Sequence, residues 1–247
     1  MSKRILALDI GNTRIKWGMV EALAWNDSGA IEHHQVKKLL LEWDRLPTPD
    51  KVIGCNVAGE SRIISLEKYW RTRGLEISWV KSSAMSCGVI NKYERPEQLG
   101  ADRWAALIGA WNKVQRTCLV LSAGTAMTID MLDAQGRFIG GQILPGRRLM
   151  QESLISRTHA LEAEVGQVKE CPLNTADAMA SGIAGALVLP IESAFSRLES
   201  WTGSEPACLI TGGDADWLAG QLQIVCRVEA RLVLDGLLKM AEEEIQS

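Results

Sequence analysis

The chain has 247 residues, of which 47% are hydrophobic and 23% charged, and its formal net charge is −3. This is the composition of an ordinary globular protein, and the near-neutral charge excludes a strongly basic nucleic-acid binder. The first apolar stretch ends at Asp9, too early for a signal peptide, and no apolar run predicts a spanning helix. We therefore expect no membrane and no nucleic-acid partner.

The six cysteines and three histidines show no zinc-ligand spacing. Several cysteines lie in apolar runs, as Cys118 does, which is typical of buried free thiols. This pattern predicts a reduced, cytoplasmic protein.

Hydrophobic periodicity predicts strands and helices in alternation. In the first half, strands are predicted at 5–10, 14–20, about 30–36, 51–55 and 75–80, with helices at 60–73 and from Asp102. The polar segment 82–98 is predicted to be a loop. In the second half, strands are predicted at 117–122, 125–131, 137–144 and 207–211, with helices near Met150, over 175–200, from Asp214 and over 230–244.

One pattern of strand, glycine turn and strand occurs twice. Leu8-Asp9-Ile10-Gly11-Asn12-Thr13 resembles Leu121-Ser122-Ala123-Gly124-Thr125-Ala126, and further strands and helices follow each copy. We predict two similar α/β halves, 1–115 and 116–247, that face each other across a nucleotide cleft.

The first turn combines groups that suit phosphate and metal binding. Gly11 lets backbone N–H groups approach an anion, and Thr13 adds a hydroxyl. Lys16 can neutralise a transferring phosphoryl group. Asp9 ends a strand, where α/β proteins place ligands, and its carboxylate suits Mg²⁺. An Asx turn beside a solvated lysine is the alternative.

Two later glycine turns and one acid also suit a binding site. Gly124 follows a buried strand, and Gly212-Gly213 lies between a strand and a helix, so both permit backbone approach to a nucleotide. A plain hairpin and a strand-to-helix turn are the alternatives. Asp102 lies at a predicted helix start and suits either an N-cap or a general base, with Arg103 as an anion ligand.

Four motifs occur together in a fixed order. They are Asp9-Ile10-Gly11-Asn12-Thr13 with Lys16, Gly100-Ala101-Asp102-Arg103, Gly124-Thr125-Ala126 with Thr128 and Asp130, and Gly140-Gly141 with Ile143, Pro145 and Gly146. Over 5–213 the chain resembles the type III pantothenate kinases. The resemblance implies an α/β actin-like ATPase (ribonuclease H-like) fold of two duplicated halves. It also implies a homodimer that phosphorylates pantothenate with ATP to 4'-phosphopantothenate, the first step of coenzyme A biosynthesis.

The resemblance also assigns roles to residues. Asp102 takes the proton from the pantothenate hydroxyl. The ATP and phosphate contacts are Asp9, Gly11, Asn12, Thr13, Lys16, Gly124, Thr125, Gly212 and Gly213, and Mg²⁺ is held at Asp9 through the phosphates. The pantothenate contacts are Tyr93, Gly100, Ala101, Asp102, Arg103 and the partner subunit's Thr175.

Ser122 departs from the family pattern. The family commonly has an aspartate there, which binds a monovalent cation such as K⁺ or NH₄⁺. A hydroxyl is a weaker cation ligand than a carboxylate, so dependence on K⁺ stays open.

Two other functions and one structural choice also stay open. The functions are a kinase of the same superfamily acting on another small alcohol, and a non-enzymatic nucleotide-binding regulator. The row Ala178, Gly182 and Ala186, at four-residue spacing, predicts either a dimer contact or a buried contact within the chain.

Overall fold

The structure is a computed structural model that describes residues 3–22, 24–157 and 165–246. Its strands are β1 Arg4–Ile10, β2 Arg14–Glu21, β3 Ala24–Glu32, β4 Lys51–Asn56, β5 Ile77–Trp79, β6 Met85–Ser86, β7 Val89–Asn91, β8 Cys118–Ala123, β9 Ala126–Leu132, β10 Arg137–Pro145, β11 Ala207–Thr211 and β12 Cys226–Val228. Its helices are α1 Val36–Trp43, α2 Ile64–Arg71, α3 Ala101–Val114, α4 Arg147–Arg157, α5 Thr175–Thr202, α6 Ala215–Ala219 and α7 Leu232–Gln246. Contacts divide the chain into two compact units, one ending at Lys113 and resuming at Arg231, the other spanning Val114–Ala230.

The first unit is built on a sheet with the strand order β3-β2-β1-β4-β5. β1 pairs antiparallel with β2 and parallel with β4, so it is a central strand. Its residues from Ile5 to Ile10 are all buried, which is typical of a strand covered on both faces. α1 and α2 contribute Leu39 and Leu66 to the same core.

Tryptophans form part of this core. The ring centroids of Trp17 and Trp43 lie 6.1 Å apart, and those of Trp43 and Trp70 lie 5.4 Å apart. Edge-on and tilted contacts at these separations are favoured between aromatic rings. Packing in this cluster explains three of the chain's nine tryptophans, whose abundance has no explanation in the sequence alone.

The second unit repeats the topology of the first. β8, β9 and β10 are consecutive antiparallel strands, and β8 and β12 each pair in parallel with β11. The order β12-β11-β8-β9-β10 thus matches β5-β4-β1-β2-β3. The predicted duplicated α/β fold is confirmed.

Three segments differ from the elements that periodicity predicts. The strand predicted at about 30–36 is β3, which ends at Glu32, and α1 begins at Val36. The predicted loop 82–98 contains the short antiparallel pair β6 and β7. β12 was not predicted because three residues, two of them exposed, carry too little alternation.

The C-terminal helix α7 packs on the first unit. A Cβ at Gly109 of α3 would overlap the carbonyl oxygen of Leu232, and a Cβ at Gly236 would overlap that of Ala105. The indole N–H of Trp25 also donates to the Asp235 carboxylate at 3.0 Å. These contacts place α7 in the first unit. The predicted division into 1–115 and 116–247 assigned this helix to the second half. Periodicity reveals the buried face of a helix but not the sheet it covers.

By length and composition, α5 is long and apolar enough to cross a membrane. No segment with these properties was predicted from the sequence. Its buried face, which includes Ile183, Leu187 and Ile191, packs in the core of the second unit. We therefore interpret α5 as a core helix.

Candidate active site

Asp9 is the penultimate residue of β1 and lies between two side chains of the neighbouring strands. Its register partners are Lys16, whose Nζ lies 4.0 Å from Oδ2, and Cys55, whose thiol donates to Oδ1 at 3.6 Å. Burial raises the pKa of Asp9 to about 6, Lys16 lowers it, and the negative charge of Asp102 raises it again. A buried carboxylate with so little compensating charge fits a divalent cation, which prefers oxygen ligands.

The first glycine turn exposes Asn12 and Thr13 rather than the amide of Gly11. The Gly11 N–H is used within the turn, where it donates to the carbonyl oxygen of Arg14 at 3.0 Å. Asn12 and Thr13 form the exposed tip. His33 Nε2 lies 2.7 Å from the Gly11 carbonyl oxygen, so this nitrogen donates and anchors the turn. Sequence reasoning missed His33, because a single histidine carries no signal for such a role.

Asp102 lies in the first turn of α3, which begins at Ala101. The carbonyl of Gly100 accepts from the Trp104 N–H at 2.9 Å, so Gly100 rather than Asp102 stands before the helix. The Asp102 side chain accepts from the Arg103 N–H at 2.8 Å and remains partly exposed. The N-cap alternative is therefore wrong. The structure places Asp102 close enough to Asp9 for their charges to interact.

The predicted pantothenate contacts Tyr93 and Arg103 also lie together. Arg103 Nη1 donates to the Tyr93 hydroxyl at 3.2 Å, and the guanidinium carbon is 5.8 Å from the ring centroid. Arg103 is buried within the first turns of α3. The Tyr93 N–H donates to the side-chain oxygen of Asn91 at 3.0 Å, which fixes the backbone at the aromatic ring.

In the second unit, the turn at Gly124 meets the start of α4. The Gly146 N–H donates to the carbonyl oxygen of Thr125 at 2.9 Å. A Cβ at position 146 would overlap the carbonyl oxygen of Gly124. Only a glycine at 146 permits this close approach.

The turn at Gly212, which follows β11, packs against the end of β8. The Asp214 N–H donates to the carbonyl oxygen of Ala123 at 3.1 Å. Gly212 has a φ of +109°, and a Cβ there would lie 2.8 Å from the backbone N of Ala123. Gly213, by contrast, is exposed with open space around its Cα. The predicted wall residues Gly124, Thr125, Gly212 and Gly213 thus come from adjoining turns of one unit.

A small pocket opens beside these turns. Its lining residues are Ala123, Gly124, Met127, Gly146, Arg147, Leu187, Asp214, Trp217 and Leu218. Arg147 donates to the Asp214 carboxylate at 3.1 Å, and its guanidinium carbon lies 4.6 Å from the Trp217 ring centroid. Sequence reasoning missed Arg147 and Trp217, because they lie 70 positions apart in the chain.

Ser122 occupies the place in β8 that Asp9 occupies in β1. Its register partners are Thr128 on β9 and Thr211 on β11, so the three side chains lie in one row. The hydroxyl oxygens of Thr128 and Thr211 are buried and find no hydrogen-bond partner in the part of the chain that is described. Such oxygens fit a bound water or a weakly held cation.

Thr175 is the exposed first residue of α5, in the second unit. The side chain of Asn174 caps the helix by accepting from the Asp177 N–H at 2.8 Å. Hydrogen bonds from Lys169 and from the Gln167 N–H lower the pKa of Asp177 to about 2. This network fixes the point at which the helix begins.

Comparison with known proteins identifies the family. The model of the type III pantothenate kinase family matches residues 5–197. The chain belongs to this family. It is 40% identical to the type III pantothenate kinase of Nitrosospira multiformis, over 98% of this chain and 93% of that one. It is 44% identical to that of Azoarcus sp. (strain BH72), over 96% of this chain and 90% of the relative.

Solved structures show that this type III pantothenate kinase family member has the actin-like ATPase fold. A Baf family protein from Campylobacter jejuni, titled a transcriptional activator, matches with a TM-score of 0.66 at 19% identity, over 98% of this chain and 100% of that one. A 2-dehydro-3-deoxygalactonokinase from Sinorhizobium meliloti matches with a TM-score of 0.64 at 15% identity, over 97% and 99%. MreB 5 of Spiroplasma citri matches with a TM-score of 0.53 at 10% identity, over 99% and 97%.

Asp9→Asn is expected to stabilise the metal-free protein at neutral pH. Folding raises the pKa of Asp9 from 3.8 to about 6, so the folded state holds this proton more tightly than the unfolded chain does. The stability that comes from this tighter proton binding is fully present below the pKa of the unfolded state, 3.8. It is lost as the pH rises through the pKa of the folded state, about 6. The loss at neutral pH is about 3 kcal/mol.

The measurement is urea unfolding with a chelator present, at about pH 4 and about pH 7.5. The free energy of unfolding of the variant should exceed that of the wild type only at the higher pH. Asp27→Asn, at an exposed carboxylate, is the matched control. An equal difference at both pH values would show that desolvation of Asp9 is not the cause.

Proposed function

We propose that this chain phosphorylates pantothenate with ATP, giving 4'-phosphopantothenate in the first step of coenzyme A biosynthesis. The observation that supports this proposal is that Asp102 is close enough to Asp9 for its negative charge to raise the Asp9 pKa, and that Asp9 lies just before the first glycine turn. A candidate base, a candidate metal carboxylate and a phosphate turn then occupy one region of the first unit. Membership of the type III pantothenate kinase family supplies the substrate.

The residues around β1 are proposed to bind the phosphates. Catalysis of phosphoryl transfer consists mostly of positioning and charge stabilisation. Lys16 would neutralise phosphate charge, and the exposed tip at Asn12 and Thr13, shaped by Gly11, would donate to phosphate oxygens. Asp9 would hold Mg²⁺, which when bound offsets the negative charge of the phosphates.

The start of α3 is proposed to bind and activate pantothenate. Asp102 would accept the proton of the attacking hydroxyl. Arg103 would pair with the pantothenate carboxylate, since guanidinium groups suit bidentate carboxylate recognition. Tyr93 lies in contact with Arg103, and Gly100 with Ala101 leaves room beside the base. A Cβ at Gly100 would stand 2.7 Å from Asp102 Oδ1, so glycine keeps that carboxylate unobstructed.

The glycine turns of the second unit are proposed to line the nucleotide. Gly124 and Thr125 would approach phosphates, and Gly212 with Gly213 would lie along the base. Free thiols at all six cysteines fit a reducing compartment, and we propose a cytoplasmic location.

Pantothenate-dependent ADP release is the test of this function. The purified protein is given ATP and Mg²⁺, with and without pantothenate, and ADP is measured together with the phosphorylated product. We expect ADP only when pantothenate is present. ADP release that requires a different small alcohol would favour another kinase of the superfamily. Nucleotide binding without turnover would favour a regulatory protein.

We propose that the hydroxyl row at Ser122 makes K⁺ or NH₄⁺ a weak activator here. Neutral oxygens bind a monovalent cation less tightly than a carboxylate does. The same assay with and without K⁺ should show little dependence in the wild type. Ser122→Asp should introduce K⁺ activation, and Ser122→Asn, which adds no charge, is the matched control. Strong K⁺ dependence of the wild type would contradict this view.

We propose a homodimer in which α5 contributes to the contact. Ala178, Gly182 and Ala186 are all exposed in the single chain, and a Cβ at Gly182 would have open space around it. The exposed row does not fit a buried contact within the chain. Small residues allow close approach of a second helix, and the partner subunit's Thr175 would complete the pantothenate site.

Gly182→Leu is expected to weaken the dimer, because a leucine would separate two helices that meet at a glycine. Sedimentation should show a larger monomer fraction, and the KM for pantothenate should rise with it. Ala24→Leu, at an exposed alanine of β3, is the control for added apolar surface. An unchanged dimer in Gly182→Leu would remove α5 from the interface.

A further inference from the structure

Cys208 and Cys226 lie opposite each other on neighbouring parallel strands. They are register partners of β11 and β12, and their Sγ atoms are 2.8 Å apart. Both are free thiols. Register partners on neighbouring strands lie within the range of Cα separations that a disulfide spans, so these two sulfurs can bond with little movement of the chain.

The two thiols differ in access and in acidity. Cys208 is buried, whereas Cys226 is partly exposed. The hydrogen bond between them lowers the pKa of Cys226 and raises that of Cys208. Because the thiolate is the nucleophile, Cys226 is the sulfur that a small oxidant reaches first and that reacts with it first.

We propose that Cys208 and Cys226 form a reversible disulfide when the protein meets hydrogen peroxide. The Cys226 thiol releases its proton, and the thiolate attacks a peroxide oxygen, so that an S–O bond forms and the O–O bond breaks. The leaving hydroxide takes up that proton and becomes the first water. The Cys208 thiol then gives up its proton and attacks the sulfenic sulfur, so that an S–S bond forms and the oxygen leaves as water. Two thiols lose two electrons, and the peroxide is reduced to two water molecules.

The other four cysteines lack this arrangement. Cys55 and Cys118 are buried, and burial raises the pKa of both thiols. The pKa of Cys87 is raised to about 11 by partial burial and by its contact with Glu243, to which its thiol donates at 3.2 Å. Cys171 is exposed and has no thiol neighbour in the described chain. Oxidation is therefore expected to be selective for the pair.

The disulfide would close a loop that carries the third glycine turn. Between the two cysteines lie Gly212, Gly213 and the pocket residues Asp214 and Trp217. The modification would thus tether the two strands on either side of that turn. The inference does not depend on the proposed function, since it is argued only from the register and separation of the two thiols.

The experiment treats the whole protein with one equivalent of hydrogen peroxide, blocks the remaining thiols and digests with trypsin. Both cysteines fall in one tryptic peptide, 198–227, because no Lys or Arg lies between them. We expect this peptide to lose the mass of two hydrogen atoms and to escape blocking. A second cleavage before Asp214 or Asp216 should leave two pieces joined until dithiothreitol separates them.

Three variants make the result specific. Cys226→Ser and Cys208→Ala should each abolish the joined pieces, and Cys226→Ser, at a partly exposed site, serves alone if the buried change prevents folding. Cys171→Ser, the matched control at an exposed thiol, should form the disulfide as the wild type does. The proposal is overturned if peroxide leaves peptide 198–227 unlinked, or if Cys171 is oxidised first while the pair stays reduced.

Discussion

Asp102→Asn is expected to lower kcat by about 10²- to 10⁴-fold while the protein stays folded. In the wild type, Asp102 Oδ1 accepts a hydrogen bond from the Arg103 N–H at 2.8 Å. An asparagine keeps the shape of the side chain and an oxygen that can accept this bond. What it loses is the ability to accept a proton from the attacking hydroxyl, which is the role proposed for Asp102. The loss should therefore fall on kcat and leave the KM for ATP nearly unchanged.

Steady-state rates with each substrate varied, together with thermal unfolding, test this expectation. Asp27→Asn removes an equal charge at an exposed position of the same unit and should keep full activity. A kcat within about tenfold of the wild type would remove the general-base role, because proton transfer contributes more than this. A large loss of unfolding temperature would instead give Asp102 a structural role.

Periodicity and composition predict glycine turns at Gly11 and Gly124, and the structure has a turn between two strands at each position. Asp9, Gly11 and Lys16 can be assigned to one hairpin from alternation alone, and Gly124 can be matched to Gly11 by the internal repeat. These are short-range relations, which a strand pattern and a turn residue encode directly.

The supporting residues could not be predicted, because contacts between distant parts of the chain create their roles. His33 holds the Gly11 carbonyl from the end of β3, and Cys55 reaches Asp9 from a parallel strand. Arg147 and Trp217 meet only because β10 and β11 belong to one unit. No local pattern distinguishes these side chains from ordinary surface or core residues.

The duplication also shows why one sequence position differs between the halves. Asp9 and Ser122 hold the same place in equivalent strands, but their register partners differ in kind. Asp9 faces Lys16, so a charge there is partly compensated. Ser122 faces the uncharged Thr128 and Thr211, where an unpaired carboxylate would be costly to bury without a cation. A neutral hydroxyl at 122 leaves this row of side chains without a charge.

Gly212→Ala is expected to destabilise the second unit by about 3 kcal/mol and to raise the KM for ATP. Gly212 has a φ of +109°, a conformation that an alanine adopts only under strain. Its new Cβ would also overlap the carbonyl oxygen of Ala123 and lie 2.8 Å from the Ala123 N. These are backbone atoms at the end of β8, so relief requires movement of the neighbouring turn at Gly124.

Gly213→Ala is the matched control for this substitution. It adds the same methyl group one residue later, where a Cβ meets no atom within 4 Å. Its unfolding temperature should stay close to that of the wild type, since an exposed change of this kind costs about 0.5 kcal/mol or less. A rise in the KM for ATP in Gly212→Ala, with the KM for pantothenate unchanged, would assign the turn to the nucleotide. If the KM values for ATP and for pantothenate rose equally in Gly212→Ala and Gly213→Ala, the flexibility of the whole segment would matter rather than the close approach at Ala123.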